Sequence, residues 1–340
     1  MHRAYKYRLY PTEEQAAQLN QSFAAVRWVY NAALEQRNMY GRSKKDGPDY
    51  WGRPTNFNQM GQKKEMNFNA GHGFVGLKND DELSWISETY RMCLVEGLRD
   101  LDKAFSAHFS AVERYKKGLT PKVIVGYPKF RSADKNNNLK YGAFNKSGNK
   151  GSKPILVFGQ NCVRIPKIGK VRYKRHKKFY GKPASYQVLR EGSEFYVIIV
   201  TEIDTVAVRH KGAAIGLDLG IALPVCLSNG EAIAPDLGLK ALEKKARKVQ
   251  KRLSRAQRGS QRRKQTKQQL ADIKRKQARR RTARTHVITT ELTRRFSYVA
   301  IEDLKLKNMT GSAKGDVENP GKKVKQKAGL NREILNVSMY

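Results

Sequence analysis

Two carboxylates stand where a carboxylate is costly. Asp218 interrupts the apolar run Ile215-Gly-Leu-Asp-Leu-Gly220, and Glu302 closes a second, Val299-Ala-Ile-Glu-Asp-Leu304. An isolated acid in a hydrophobic strand is unfavourable unless it is ion-paired or holds a metal. Taken singly, each acid is compatible with a salt bridge to one of the chain's many Lys and Arg side chains. Side by side, their hard oxygen ligands would hold Mg²⁺. Two such ions about 3.5–4 Å apart activate a water and stabilise a leaving 3′ oxygen, the chemistry of phosphodiester hydrolysis. Asp303 is a second choice beside Glu302, because strand alternation turns it away. Gly216 and Gly220 leave room for something to approach the backbone closely. Histidine chemistry has no comparable support: His72, His108, His176, His210 and His286 are scattered and lack a Ser, Cys or Asp partner pattern. No Gly-rich phosphate loop opening a helix is present either.

The elements around the acids must position them. Ala213–Gly220, Ile221–Leu227 and Glu231–Ala234, with the turn Ser228-Asn229-Gly230 before the last, predict an antiparallel meander. Asp236–Phe296 is helix-prone, and Gly259-Ser260 divides it into a helical hairpin whose longer arm reaches about 50 Å. Tyr298–Leu304 predicts a short buried strand, Lys305–Leu330 a mobile basic segment, and Leu330–Tyr340 the start of another helix. Meander strands with Asp on the first, a helical segment, then a strand ending in Glu is the order of an RNase H-like fold.

Upstream, His2–Tyr10 alternates and stops at Pro11, which predicts a strand. Thr12, followed by Glu13, Glu14 and Gln15, is a capping box opening a helix to about Tyr40. Gly41–Gly76 reads as loop around short helices. Leu83–Tyr115 is helical again, with Ile86, Tyr90, Cys93, Leu94, Gly97, Leu98, Leu101, Phe105 and Phe109 as one core stripe. Short runs at Leu156–Phe158, Cys162–Ile165, Lys170–Tyr173, Tyr186–Leu189 and Phe195–Thr201 predict a small barrel. Val206–Lys211 reads as a linker.

Composition supplies the partner. The 340 residues carry 68 Lys+Arg against 30 Asp+Glu, a net charge of +38, and Asp236–Phe296 alone holds 22 bases and 4 acids. Four acids cannot neutralise that helix, so a polyanion is expected against it. With 39% apolar residues the chain is no disordered tail. Cys93, Cys162 and Cys226 are too few and too far apart for a disulfide framework or a zinc site, and are read as reduced, buried side chains. Neither a signal peptide nor an apolar membrane span is visible, so no membrane partner and a cytoplasmic setting are expected.

The chain resembles the TnpB family, the insertion-sequence-encoded RNA-guided nucleases related to type V CRISPR effectors. The resemblance runs over nearly the whole length. Its motifs, in order, are Tyr5-Lys-Tyr-Arg-Leu-Tyr-Pro11, Arg27-Trp-Val-Tyr-Asn31, Gly126-Tyr-Pro-Lys-Phe-Arg131, Ile165-Pro-Lys-Ile-Gly169 and the two acid-bearing runs. It implies an α+β multidomain fold. A wedge β-barrel (residues 1–11 and 123–205) would be interrupted by a helical recognition domain (12–122). An RNase H-like RuvC domain (206–340) with the basic helical segment 236–296 would follow. It also implies a guide RNA from the element's end, a double-stranded DNA target beside a short recognition motif, Mg²⁺-dependent cleavage, and a prokaryotic, nucleoid-associated location.

By motif position, Asp218 and Glu302 match the first two RuvC carboxylates, as catalytic residues and metal ligands. The bases expected to follow nucleic acid are Lys6, Arg8, Arg27, Lys129 and Arg131, together with Lys244, Lys245, Arg247, Lys248, Lys251, Arg252, Arg255, Arg262, Arg263, Lys274, Arg275, Arg279 and Arg280. Tyr5, Tyr7 and Tyr173 are expected in the barrel core rather than stacked on bases. The family's third carboxylate and its Cys-x-x-Cys zinc ribbon lie beyond the motifs found here. The RuvC domain is therefore expected to be incomplete, and zinc is expected only in a longer version. Two alternatives stay open: a guide-RNA-dependent DNA-binding protein that does not cut, and a sequence-independent RNA-binding protein.

Overall fold

A computed structural model of the chain describes residues 1–46, 82–133, 137–142, 155–204, 212–316 and 318–336. Most of the Gly41–Gly76 loop and the Val206–Lys211 linker lie outside the described residues. The chain divides into two units, Met1–Thr205 and Val206–Tyr340.

In the first unit, alternation along β1 (His2–Tyr10) buries Tyr5, Tyr7 and Leu9 and exposes the residues between them. Pro11 ends the strand. Thr12 then caps α1 (Glu13–Asp46) with both bonds of the capping box: Gln15 N–H donates to Thr12 Oγ1 at 3.3 Å, and Thr12 N–H to Gln15 Oε1 at 3.2 Å. A 3₁₀ turn (Ser84–Glu88) leads into α2 (Arg91–Lys116). Strands β2 (Asn138–Gly142), β3 (Val157–Phe158), β4 (Cys162–Ile165), β5 (Gly169–Tyr173), β6 (Lys182–Glu191) and β7 (Glu194–Glu202) complete the unit. Every pairing is antiparallel, in the order β2-β6-β7-β1-β5-β4-β3.

The expected barrel is thus found as a seven-stranded sheet, and among the described residues no pairing joins its edges β2 and β3. Strand β2 was not legible, because Leu139 and Tyr141 are the only large apolar residues in a short polar segment. Tyr5, Tyr7 and Tyr173 are buried, as expected of core. Helices and sheet share one core: Leu19, Phe23 and Leu34 of α1 and Leu94, Leu98 and Leu101 of α2 lie in the same cluster as Val188, Val197 and Ile199. Truncating a fully buried leucine such as Leu101 costs about 2–5 kcal/mol. Gly97 permits close helix packing, since a Cβ there would stand 3.1 Å from Val26 Cγ1. The α2 stripe outruns its cover: Phe105 is buried, but Phe109, one turn on, is 60% exposed.

In the second unit, β8 (Ala214–Asp218), β9 (Val225–Leu227), β10 (Ala232–Ile233) and β11 (Tyr298–Ile301) form a sheet in the order β10-β9-β8-β11. The meander is antiparallel, whereas β11 runs parallel to β8. Parallel neighbours need a long crossover. It is supplied here by the meander and two helices, α3 (Leu237–Arg255) and α4 (Gln261–Arg295), broken near Gly259 as read. Ile215, Val225 and Leu227 pack with Leu292 of α4, while Val249 of α3 packs with Leu270 and Ile273 farther along the hairpin.

The segment Lys305–Leu330 is more ordered than its composition predicts. It contains α5 (Leu306–Met309) and the start of α6 (Val324–Asn336), tied together where Lys327 Nζ donates to the Met309 carbonyl at 2.7 Å and Asn331 Nδ2 to that of Thr310 at 2.9 Å. Among the described residues no helix is long and apolar enough to cross a membrane.

Candidate functional site

The register of β8 and β11 decides where the two acids fall. Tyr298, Val299, Ala300 and Ile301 pair with Ala214, Ile215, Gly216 and Leu217. Asp218 and Glu302 are the next residue on each strand, so the carboxylates occupy matching positions at the same ends of neighbouring parallel strands, about 4.8 Å apart in backbone spacing. Alternation puts Ile215, Leu217 and Val299 on the face that packs against Ile288, Leu292 and Phe296. Gly216, Asp218, Ala300 and Glu302 take the other face, where Cys226 lies opposite Asp218 on β9.

That second face corrects one expectation. Asp218, Glu302 and Asp303 are exposed rather than buried, and so is most of β11, with Tyr298 at 66% and Ile301 at 65%. An apolar run alone does not distinguish a sheet edge from its centre, and β11 is an edge strand. Among the described residues neither Asp218 nor Glu302 has an ion-pair or side-chain hydrogen-bond partner, so the salt-bridge alternative finds no support there. Nor do any three His, Cys, Asp or Glu side chains among them form a group able to hold a metal.

The glycines beside Asp218 make room for the chain itself. Gly216 N–H donates to Ser228 Oγ at 3.1 Å, and a Cβ on Gly220 would meet the Leu223 carbonyl oxygen at 2.8 Å. A cavity of about 490 Å³ opens on the helix-covered side, lined by Leu217, Leu219, Val225, Leu239, Ile288 and Leu292, with Asp236, Glu243, Arg281 and Arg284 also contributing. By alternation it is on the face opposite the two acids.

Two carboxylates that sequence reasoning passed over brace this unit. Asp236 caps α3, accepting from Gly238 N–H at 2.9 Å and Leu239 N–H at 3.3 Å, and takes Arg280 Nε at 2.6 Å and Nη2 at 2.8 Å. The Arg280 hydrogen bond, outweighing partial burial, holds the Asp236 carboxyl below the usual range. Glu231 receives both terminal nitrogens of Arg295, one at 2.8 Å, and its carboxyl too is lowered by that hydrogen bond.

The predicted nucleic-acid contacts divide by what they touch. Arg280 is committed to Asp236, and Arg263 Nη1 caps α3 by donating to the carbonyls of Leu253 at 2.7 Å and Ala256 at 2.9 Å. Arg247 pairs with Glu243 at 2.5 Å, Arg275 with Asp272, and Arg252 bonds Gln269. Lys244, Lys245, Lys248, Lys251, Arg255, Arg262, Lys274 and Arg279 are exposed. In the first unit, Lys6 pairs with Glu191, and Arg8 with Glu194 at 2.9 Å. Arg131 bonds Asp100 at 2.9 Å and lies 3.9 Å over the Tyr30 ring, so it is part of the packing. Arg27 is half-buried, donating to Asn137 Oδ1 at 3.4 Å; burial and then the Arg190 charge lower its pKa. Lys129 is exposed.

Comparison with known proteins finds matches in both units of the chain. A family model described as "Helix-turn-helix domain" (OrfB, IS605) matches residues 1–45, and one described as "Probable transposase" matches residues 198–313, which contain both acids. Over these two segments the chain is similar to insertion-sequence proteins of the IS605 OrfB class. "Putative RNA-guided DNA endonuclease InsQ" of Escherichia coli (strain K12) is 26% identical over 338 residues, 99% of this chain and 75% of that protein. A "Putative RNA-guided DNA endonuclease" of Streptomyces pristinaespiralis is 28% identical over 317 residues, 92% of this chain and 69% of that protein. Along most of its length the chain is thus similar to proteins of this insertion-sequence class. In this structure the segment matched as helix-turn-helix is strand β1 followed by the single helix α1.

Proposed function

We propose that the chain is an RNA-guided DNA-binding protein whose second unit is built as a RuvC-type nuclease domain, with Asp218 and Glu302 as its acidic ligands. The observation carrying this reading is the register that sets the two carboxylates side by side on the uncovered sheet face. The names of the relatives add to it. On the same reading the seven-stranded sheet serves as the wedge domain, and α1 and α2 serve recognition.

The acids suit Mg²⁺. Mg²⁺ is commonly held by one or two carboxylates, with waters and substrate phosphates completing its shell. Asp218 and Glu302 are both exposed, and no described cation competes for them. Bound there, Mg²⁺ would supply Lewis-acid stabilisation and a more acidic water. Asp218 and Glu302 would fix the ion's position on the strand ends, and the exposed bases of α3 and α4 would hold phosphates. Sequence would be read by pairing between guide and target rather than by side chains.

A second reading, guide-dependent binding without cutting, is favoured because no three His, Cys, Asp or Glu side chains among the described residues gather into a group able to hold a metal. One assay separates them: the chain is given guide RNA, matching duplex DNA and Mg²⁺. Nicks that vanish in Asp218→Ala and Glu302→Ala, with RNA affinity retained, support the nuclease. Tight binding without nicks supports the binder, and undiminished cutting by either variant removes the two acids from the site.

A further inference from the structure

We infer that Phe109 at the end of α2, with Tyr127 and Phe130 of the following loop, forms a stacking platform for unpaired nucleobases of a single-stranded nucleic acid. This site belongs to the first unit and does not depend on cleavage. The three rings are 60%, 46% and 56% exposed, a density of solvent-facing aromatics that folded surfaces seldom leave without a partner. Phe109 and Tyr127 are held by neighbouring rings. Phe109 lies over buried Phe105 with centroids 6.0 Å apart and planes at 24°, and beside His108 at 5.6 Å, while most of the ring faces solvent. Tyr127 stands edge-on to Phe105 at 5.4 Å and to His108 at 5.4 Å, and its hydroxyl donates to Asn38 Oδ1 at 2.9 Å.

The loop carrying the other two rings is fastened at both ends. His108 Nδ1 meets the Val125 carbonyl at 2.9 Å. Asn31 brackets Arg131, its Oδ1 accepting from the backbone N–H at 2.8 Å and its Nδ2 donating to the carbonyl at 3.1 Å. Pro121 and Pro128 stiffen the stretch between. This accounts for the Gly126-Tyr-Pro-Lys-Phe-Arg131 motif: Arg131 is the anchor, and Tyr127 and Phe130 are what it presents.

The charge around the platform selects the partner. From Lys103 to Lys129 there are six Lys or Arg and one acid, Glu113, which pairs with Lys117 at 2.7 Å. Exposed aromatic faces in a cationic surround match what binds single strands: bases stack on the rings while the bases' phosphates meet Lys and Arg. Stacking requires a π-face and is indifferent to the sugar, whereas an apolar protein partner requires only hydrophobic area.

The test measures affinity of the full chain for a 12-mer of riboadenosine, the same 12-mer of deoxyadenosine and an abasic 12-mer, at about 0.5 M salt, where phosphate contacts are weakened. Phe109→Ala and Phe130→Ala remove exposed rings, so the fold is kept. Each is expected to weaken both base-bearing oligomers about tenfold and to leave the abasic one unchanged. Phe109→Trp is expected to restore binding, and Phe109→Leu is not. Equal affinity of wild type for abasic and base-bearing strands, a leucine variant as good as wild type, or an effect confined to ribose would each overturn the proposal.

Discussion

Asp218 and Glu302 each follow a residue of one register pair, Leu217 and Ile301, so two parallel strands end side by side on two exposed carboxylates. Like charges at adjacent sheet positions oppose folding. A cation that binds both turns that repulsion into stabilisation, which makes thermal stability a readout independent of cutting.

Mg²⁺ is therefore expected to raise the melting temperature of the wild-type chain, and chelation to reverse it, because a ligand bound only by the folded state stabilises it by mass action. Asp218→Asn with Glu302→Gln is expected to melt at or slightly above the metal-free wild type, and to be insensitive to Mg²⁺. Scanning calorimetry with and without the ion checks this. A double variant that still responds in full would move the ion elsewhere.

Asp236 is held below the usual carboxylate range by Arg280 while capping α3. A depressed folded-state pKa contributes stability that is complete above the ordinary Asp value near pH 4 and lost as pH falls through the folded value. Asp236→Ala is expected to cost about 1–2 kcal/mol at pH 7, mostly as a lost cap, and less at pH 3. Arg280 is half exposed, so solvent screens the pair and Arg280→Ala is expected to cost less than Asp236→Ala. Urea titrations at the two pH values measure both.

Asp100 makes the stronger case in the first unit. Burial alone would raise its pKa, but hydrogen bonds and charge from Lys140 and Arg131 outweigh burial and hold it low. Asp100→Asn leaves two cations facing each other beneath the 120–131 loop. The expected loss is about 2–3 kcal/mol at pH 7, shrinking as pH falls from the ordinary Asp value near 4 through the lowered folded-state value. A loss that stays constant down to pH 3 would mean the carboxylate's charge is not what holds the loop.

Local signals in the sequence were read well, and long-range ones were not. Thr12 and Gln15 announce their cap within four residues, and both bonds form. Gly259 and Ser260 mark the hairpin break, with Gly259 at φ +83°. The exposure of Glu302 could not be read, because Tyr298-Val-Ala-Ile spells the same apolar run at a sheet edge as at its centre. Phe109 continues a helical stripe faultlessly, and only the extent of the covering elements leaves it in solvent. The Asp236–Arg280 bond joins residues 44 apart, and composition counted that arginine as free cationic surface.

The same distinction predicts which bases matter for RNA. On α3 the packed residues Ala246, Val249 and Leu253 mark one side. At 100° per residue, Lys244, Lys248, Lys251 and Arg255 fall on the opposite side as one stripe, spanning about three turns. All four are exposed, so neutralising them to Gln is expected to leave the melting temperature within a degree or two. It should also lower the slope of log affinity against log salt by about one for each phosphate no longer neutralised, uniformly across RNA sequences. Arg263 is expected to behave in the opposite way. Its guanidinium is spent on the Leu253 and Ala256 carbonyls at the end of α3. Arg263→Gln should therefore lower stability by about 1 kcal/mol and leave the salt slope unchanged. Filter-binding titrations across a salt series, run beside thermal melts of both variants, decide whether charge on this hairpin follows the face it occupies or merely its total.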